Sequence, residues 1–192
     1  MAMLILGLVL FLGVHSVRIV ADGWRSRAVA RMGAGPWKGL YSLLSLAGFA
    51  LVCWGFALAR EQPLLLWSPP PIMRHIAAAL TLLAFVLVSA AYVPGNQIKA
   101  RLHHPMLLGV KCWALAHLLA NGTLAHVLLF GSFLAWAVVD FAVSRRRDRA
   151  LGTVYPAGRA GATAVTVVVG LVAWFGFAHW LHGLWIGVRP VA

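Results

Sequence analysis

Six apolar stretches, separated by breaks that carry most of the charge, leave this chain few ways to fold. They lie at about 2–21, 40–59, 75–93, 106–120, 124–142 and 164–186. At 1.5 Å of rise per helical residue, each is long enough, or nearly so, to cross a hydrocarbon core of about 30 Å. The breaks are chemically distinct. Gly33–Pro36 divides the first two runs, Pro63 with Pro69–Pro71 the next pair, and Pro94–Gly95–Asn96 ends the third. Asn121–Gly122 makes a tight hairpin between the fourth and fifth, and Arg145–Arg149 closes the fifth. Proline lacks an N–H donor and glycine leaves the backbone permissive, so both end helices. Composition agrees: 62% of residues are hydrophobic and 10% charged, where a soluble domain carries roughly a quarter charged. The expected fold is all-α, a polytopic membrane helix bundle of about six transmembrane helices forming one domain over 1–192.

The net charge of +12 reads as topology and not as a nucleic-acid surface. Twelve Lys and Arg residues fall in the connections 1–2, 3–4 and 5–6, and only Arg60, Arg74 and Arg189 fall on the opposite side. The positive-inside rule then places the basic loops in the cytoplasm and both termini in the periplasm. The first run has no basic residues before it and no small-x-small cleavage site where one belongs, so it reads as a retained helix. Cys53 and Cys112 lie within apolar runs without metal-ligand or redox spacing, which gives no disulfide framework.

Ionisable residues inside hydrocarbon are costly and are functional candidates by default. His15, in the first run, is either a packing histidine bonded to a neighbouring backbone group or a metal or haem ligand. Lys111 has a stem long enough to snorkel to the interface. Asp140 lies beside the Arg145–Arg147 cluster, and Asp22 ends the first helix among arginines; both suit a local ion pair or water contact. His117 and His126 flank the Asn121–Gly122 turn almost symmetrically, each roughly 7 Å below it by helix rise. His182 reaches a comparable depth if the sixth helix surfaces near Gly187, so His117, His126 and His182 form an alternative transition-metal cluster. Against this stands the reading of unrelated interfacial histidines. Pro105 suits a first helical turn, where its missing N–H costs nothing; the preceding His103 and His104 have no such explanation.

Several strings are distinctive. HPMLLG (104–109) leads into KCWALAH (111–117) and Asn121–Gly122; GVHSVRIVADGWR (13–25), WKGLYSLLSLAGF (37–49), LWSPP (66–70), AAYVPGNQIKA (90–100) and GTVYPAGR (152–159) cover most of the rest. Together they resemble the NnrU family of bacterial inner-membrane proteins associated with denitrification. The resemblance implies an accessory role in obtaining active nitrite and nitric oxide reductases, with those reductases or their assembly factors as partners beside the lipid bilayer. The family in turn is similar to zeta-carotene isomerase, a membrane protein using haem b. By position His15 and His117 match that relative's functional histidines, which implies haem b with these two as axial ligands. The relative's cysteine, three residues before the second histidine, corresponds to Ala114 here, and Cys112 lies about 200° from it around a helix. His–Cys ligation is therefore not preserved.

Three function classes follow. A haem-dependent membrane redox protein or isomerase is implied through His15 and His117. A non-catalytic membrane partner fits a chain with no carboxylate pair, no aligned nucleophile and base, and no phosphate-binding loop; this accessory reading is preferred, with enzymatic activity left open. The histidine–proline–Gly109 pattern is also similar to integral membrane methyltransferases. Those continue into an acidic, tyrosine-rich tail, where this chain has RRRDRALGTVYPAGR and a further apolar run.

Overall fold

The computed structural model describes residues 1–190, and helices account for nearly all of its regular structure. In chain order these are α1 (Ala2–Val20), α2 (Asp22–Met32), α3 (Ala34–Glu61), α4 (Ile72–Tyr92), α5 (Gln97–Leu102), α6 (Pro105–Ala120), α7 (Leu124–Leu151) and α8 (Ala160–Gly176). A π-helical turn, Phe177–Leu181, joins α8 to α9 (His182–Ile186). Five helical segments are long and apolar enough to cross a membrane, and α6 is a shorter apolar helix of 16 residues. Large apolar side chains on these helices stand open, among them Val9, Leu43, Leu46 and Val172, each about two-thirds exposed. Such faces are stable against lipid and not against water. The chain is a polytopic membrane helix bundle.

The helices follow the apolar runs, with informative differences. α7 continues to Leu151 because Arg145–Arg149 stays helical, as arginines are good helix formers and favour the negative end of the helix dipole. Asp22 opens α2 instead of ending α1, where its carboxylate meets the helix's positive end and lies 3.7 Å from Arg18 Nε.

Two compact units share the chain. The first comprises Met1–Trp67 with Gly122–Trp136, and the second comprises Ser68–Asn121 with the described residues from Ala137. In the first, α1 and α3 pack antiparallel through glycines. A Cβ on Gly7 would lie 2.5 Å from Val52 N, one on Gly48 2.8 Å from Phe11 N, and one on Gly55 would overlap the Leu4 backbone. Small residues let backbones touch where lipid supplies no hydrophobic drive for helix association. The Gly122 carbonyl accepts from Leu66 and Trp67 N–H at 2.8 and 3.2 Å, and Leu64 O accepts from Leu124 N–H at 2.9 Å. A Cβ at Gly122 would collide with Trp67 O. The α6–α7 turn is thus pinned by an extended segment, and Gly122 serves close approach.

In the second unit α4 lies between α6 and α8. Gly109 lets α6 approach Ala84 and Val88, Gly170 brings α8 onto Val86, and Trp174 Nε1 donates to Thr81 Oγ1 at 3.0 Å. Asn96, 1% exposed, is the polar keystone of the α4–α5 corner. Its Oδ1 accepts from Lys99 N–H at 2.7 Å, while its Nδ2 donates to Ala90 O and Val93 O at 2.8 and 2.6 Å. Lys111 does not reach for water alone: its ammonium sits 3.9 Å from the centre of the Phe141 ring.

Gly55→Val should destabilise the protein by about 1–3 kcal/mol or more, since a branched side chain forces α1 from α3. Gly13→Ala, on an open face of α1, should leave stability unchanged. Unfolding by SDS titration in mixed micelles, followed by tryptophan fluorescence, checks both; equal effects would contradict the glycine contact.

Candidate functional site

His15 sits on α1 in the first unit, within an aromatic enclosure. Its ring stacks on Phe11 with centroids 4.2 Å apart and meets Tyr41 and Trp136 edge-on at 5.4 and 6.1 Å. Phe49 and Phe133 close around Phe11 at 6.2 and 5.7 Å. His15 Nδ1 is 2.7 Å from the carbonyl oxygen of Phe11, one helical turn back. A carbonyl only accepts, so Nδ1 carries the proton and Nε2 presents its lone pair.

Among the described residues, two buried side-chain polar atoms have no hydrogen-bond partner, Ser45 Oγ and Trp136 Nε1. Both belong to this neighbourhood. Trp136 is one of the rings facing His15. The contacts of Gly48 with Phe11 and Gly55 with Leu4 set an antiparallel register that brings Ser45 level with Val14 and His15. Trp136 Nε1 and Ser45 Oγ are thus buried donors at the level of His15.

His117, on α6 in the second unit, is held in the same manner. Its Nδ1 lies 2.8 Å from Trp113 O, and Asn121 Nδ2 donates to the His117 carbonyl at 2.9 Å. Ala114, in the position of the relative's cysteine, is fully buried, and Cys53 and Cys112 are free thiols.

The other histidines of the alternative metal cluster have local partners. His126 Nδ1 is 2.6 Å from Thr123 Oγ1, with its ring edge-on to Phe56 at 5.2 Å. His182 Nδ1 is 2.6 Å from Val188 O. Among the described residues no group of three or more His, Cys, Asp or Glu side chains is placed to hold a metal ion.

A second constellation, in the second unit, accounts for the histidine pair. His103 adopts φ 67°, ψ −50° at the α5–α6 corner, and Leu102 O accepts from His104 N–H at 2.8 Å. This is a γ-turn with positive φ, a strained conformation for a residue with a side chain. Contacts from distant segments hold it. Arg145 Nη1 donates to His103 Nδ1 at 2.5 Å, and the His103 ring stacks on Tyr155 at 4.1 Å and 14°. His104 Nε2 lies 2.7 Å from Asp148 Oδ2, and Tyr155 Oη donates to the same oxygen at 2.9 Å. Burial, with the hydrogen bond to Asp148 and its charge, pushes the Tyr155 phenol above its ordinary range, against a smaller opposing effect of Arg145. Two sequence signals mark this constellation: Asp148 is the lone acid among four arginines, and Tyr155 lies in the distinctive string GTVYPAGR.

Five membrane-length helices with ionisable side chains tied to named partners define a multi-pass membrane protein. The model of the family described as NnrU protein matches residues 3–190, and the chain belongs to that family. No curated protein and no solved structure matches it.

The Tyr155 phenol should titrate above about 10, the value of an unperturbed tyrosine. Its neutral form is favoured in the fold, so its stabilising contribution is present below that value and lost as pH rises through the raised one. Asp148→Asn should move the titration down. NMR of [13Cζ]tyrosine-labelled protein, assigned with Tyr155→Phe, reads both; an unchanged Tyr155 titration in Asp148→Asn would refute the carboxylate as a cause.

Proposed function

We propose that this protein serves in the bacterial inner membrane as an accessory to denitrification, helping nitrite and nitric oxide reductases reach their active state. Family membership across residues 3–190 carries this reading, together with the denitrification association of the family it resembles. Its partners on this reading are the reductases or their assembly factors. The test is deletion in a denitrifying host. Reductase polypeptides should accumulate with nitrite-reducing activity down by tenfold or more, and the gene supplied in trans should restore it. Full activity in the deletion strain would overturn the proposal.

A second reading, haem b binding, draws support from His15. The bond from Nδ1 to Phe11 O is the outer-sphere hydrogen bond that orients a ligating imidazole and strengthens Nε2 as a donor. Trp136, whose ring meets His15 edge-on, and Ser45 at the same level carry buried donors that haem edge groups would use. His117 carries the same backward bond and is the second candidate ligand. Bound haem would supply one-electron chemistry, or the isomerisation associated with zeta-carotene isomerase. Protein purified after haem supplementation should show a Soret band that His15→Ala or His117→Ala removes and Cys112→Ala leaves intact. A spectrum without the band would count decisively against haem.

A further inference from the structure

The charge at the α5 end of the second unit is uncompensated. Lys99, Arg101, Arg145, Arg146, Arg147, Arg149 and Arg159 gather on α5, the end of α7 and the loop after it. Asp148, the acid among them, already takes His104 and Tyr155. Lys99 Nζ donates to Ala91 O, Arg147 to Ser144 Oγ, and Arg145 to a neutral imidazole nitrogen. None of these contacts cancels a positive charge. Arg101 is exposed and makes no hydrogen bond or ion pair among the described residues.

Arg101 opens into a cleft of about 310 Å³, lined also by Gln97, Ala100, Tyr155, Ala157 and Gly158. That volume is at the lower end for small-ligand sites, which run from about 300 Å³. The cleft is built on fixed backbone. Gly95 O accepts from Arg159 N–H at 2.8 Å, Thr163 Oγ1 accepts from Gln97 N–H at 2.9 Å, and Gly158 lies flat on the Asn96–Gln97 backbone with no room for a Cβ. Tyr155 forms a wall, held by the His103 stack and the bond to Asp148. The strained γ-turn at His103 thereby has a role: it places an imidazole under this wall, where Arg145 holds it.

We propose that this cleft binds a phosphate group, with the Arg101 guanidinium as its principal ligand and the Gln97 side-chain amide as an uncharged donor. A planar guanidinium beside an N–H₂ donor matches phosphate oxygens through charge-assisted hydrogen bonds. α5 lies between the end of α4 and the start of α6, at the level where those apolar helices stop. The phosphate is therefore presented either by a lipid headgroup or by a small soluble phosphate ester. The site is independent of the denitrification and haem readings.

The test uses full-length protein in dodecyl maltoside and calorimetric titration with dihexanoyl phosphatidylglycerol, dihexanoyl phosphatidate, glycerol 3-phosphate and inorganic phosphate. At least one phosphate probe should bind saturably. Arg101→Gln should weaken that binding by tenfold or more, while Arg149→Gln, which removes the same charge outside the cleft, should change it less than twofold. Binding of the lipids without glycerol 3-phosphate identifies a headgroup site, and comparable binding of glycerol 3-phosphate identifies a soluble ester; either supports the cleft. Absence of saturable binding by every probe overturns it. So does an equal loss in Arg101→Gln and Arg149→Gln, which describes a diffuse basic surface. Arg101 is exposed and makes no side-chain bond among the described residues, so its replacement should leave the fold intact.

Discussion

Hydrocarbon offers no hydrogen bonds, and the placing of polar groups in this protein follows from that constraint. Helices satisfy their own backbones, so the remaining polar side chains must find partners within the protein. His15, His117 and Ser16 turn back to carbonyls one turn earlier on their own helices. Trp174 reaches Thr81 on a neighbouring helix. Where chain must leave the helical form at the α6–α7 turn, Leu64–Trp67 supplies the missing donors and acceptors. Asn96 does the same at the α4–α5 corner from a fully enclosed position.

The exceptions gain meaning from the rule. Trp136 Nε1 and Ser45 Oγ lack partners and accompany His15, whose proton is committed to Phe11 and whose lone pair is not. Phe11, Tyr41 and Trp136 surround the His15 ring. A ligating function for His15 would use the same backward hydrogen bond that a packing histidine uses. The packing and the ligating readings of this residue therefore share one local geometry.

At the other end of the second unit the chemistry is that of crowded cations. The arginines of α7 would repel one another less by spreading into water, yet Arg145 is drawn to His103 and Asp148 to His104 and Tyr155. These contacts order the loop after α7 against the α5–α6 corner. The strain at His103 persists because partners from two later segments hold the ring. A cleft with one unpaired arginine remains beside it, fixed by backbone contacts and not by flexible side chains.

Helix placement was legible in the sequence because it is local: apolar length, proline, glycine and charge act within a few residues. The spans, the break at Pro94–Asn96 and the turn at Asn121–Gly122 all follow from such signals, and the distinctive strings carried the family. Pairings across long separations were not legible. His104 meets Asp148 over 44 residues and Gln97 meets Thr163 over 66, and neither spacing has a period to betray it. The sequence also could not say that Gly122 exists to admit Trp67, or that Phe141 lies under Lys111. By itself the chain determined that it crosses a membrane repeatedly as helices, since hydrocarbon permits such runs little else. Only the tertiary structure decided which polar groups became partners and which were left facing a cleft, because that depends on how closely glycine-lined helices approach and where distant loops are pinned.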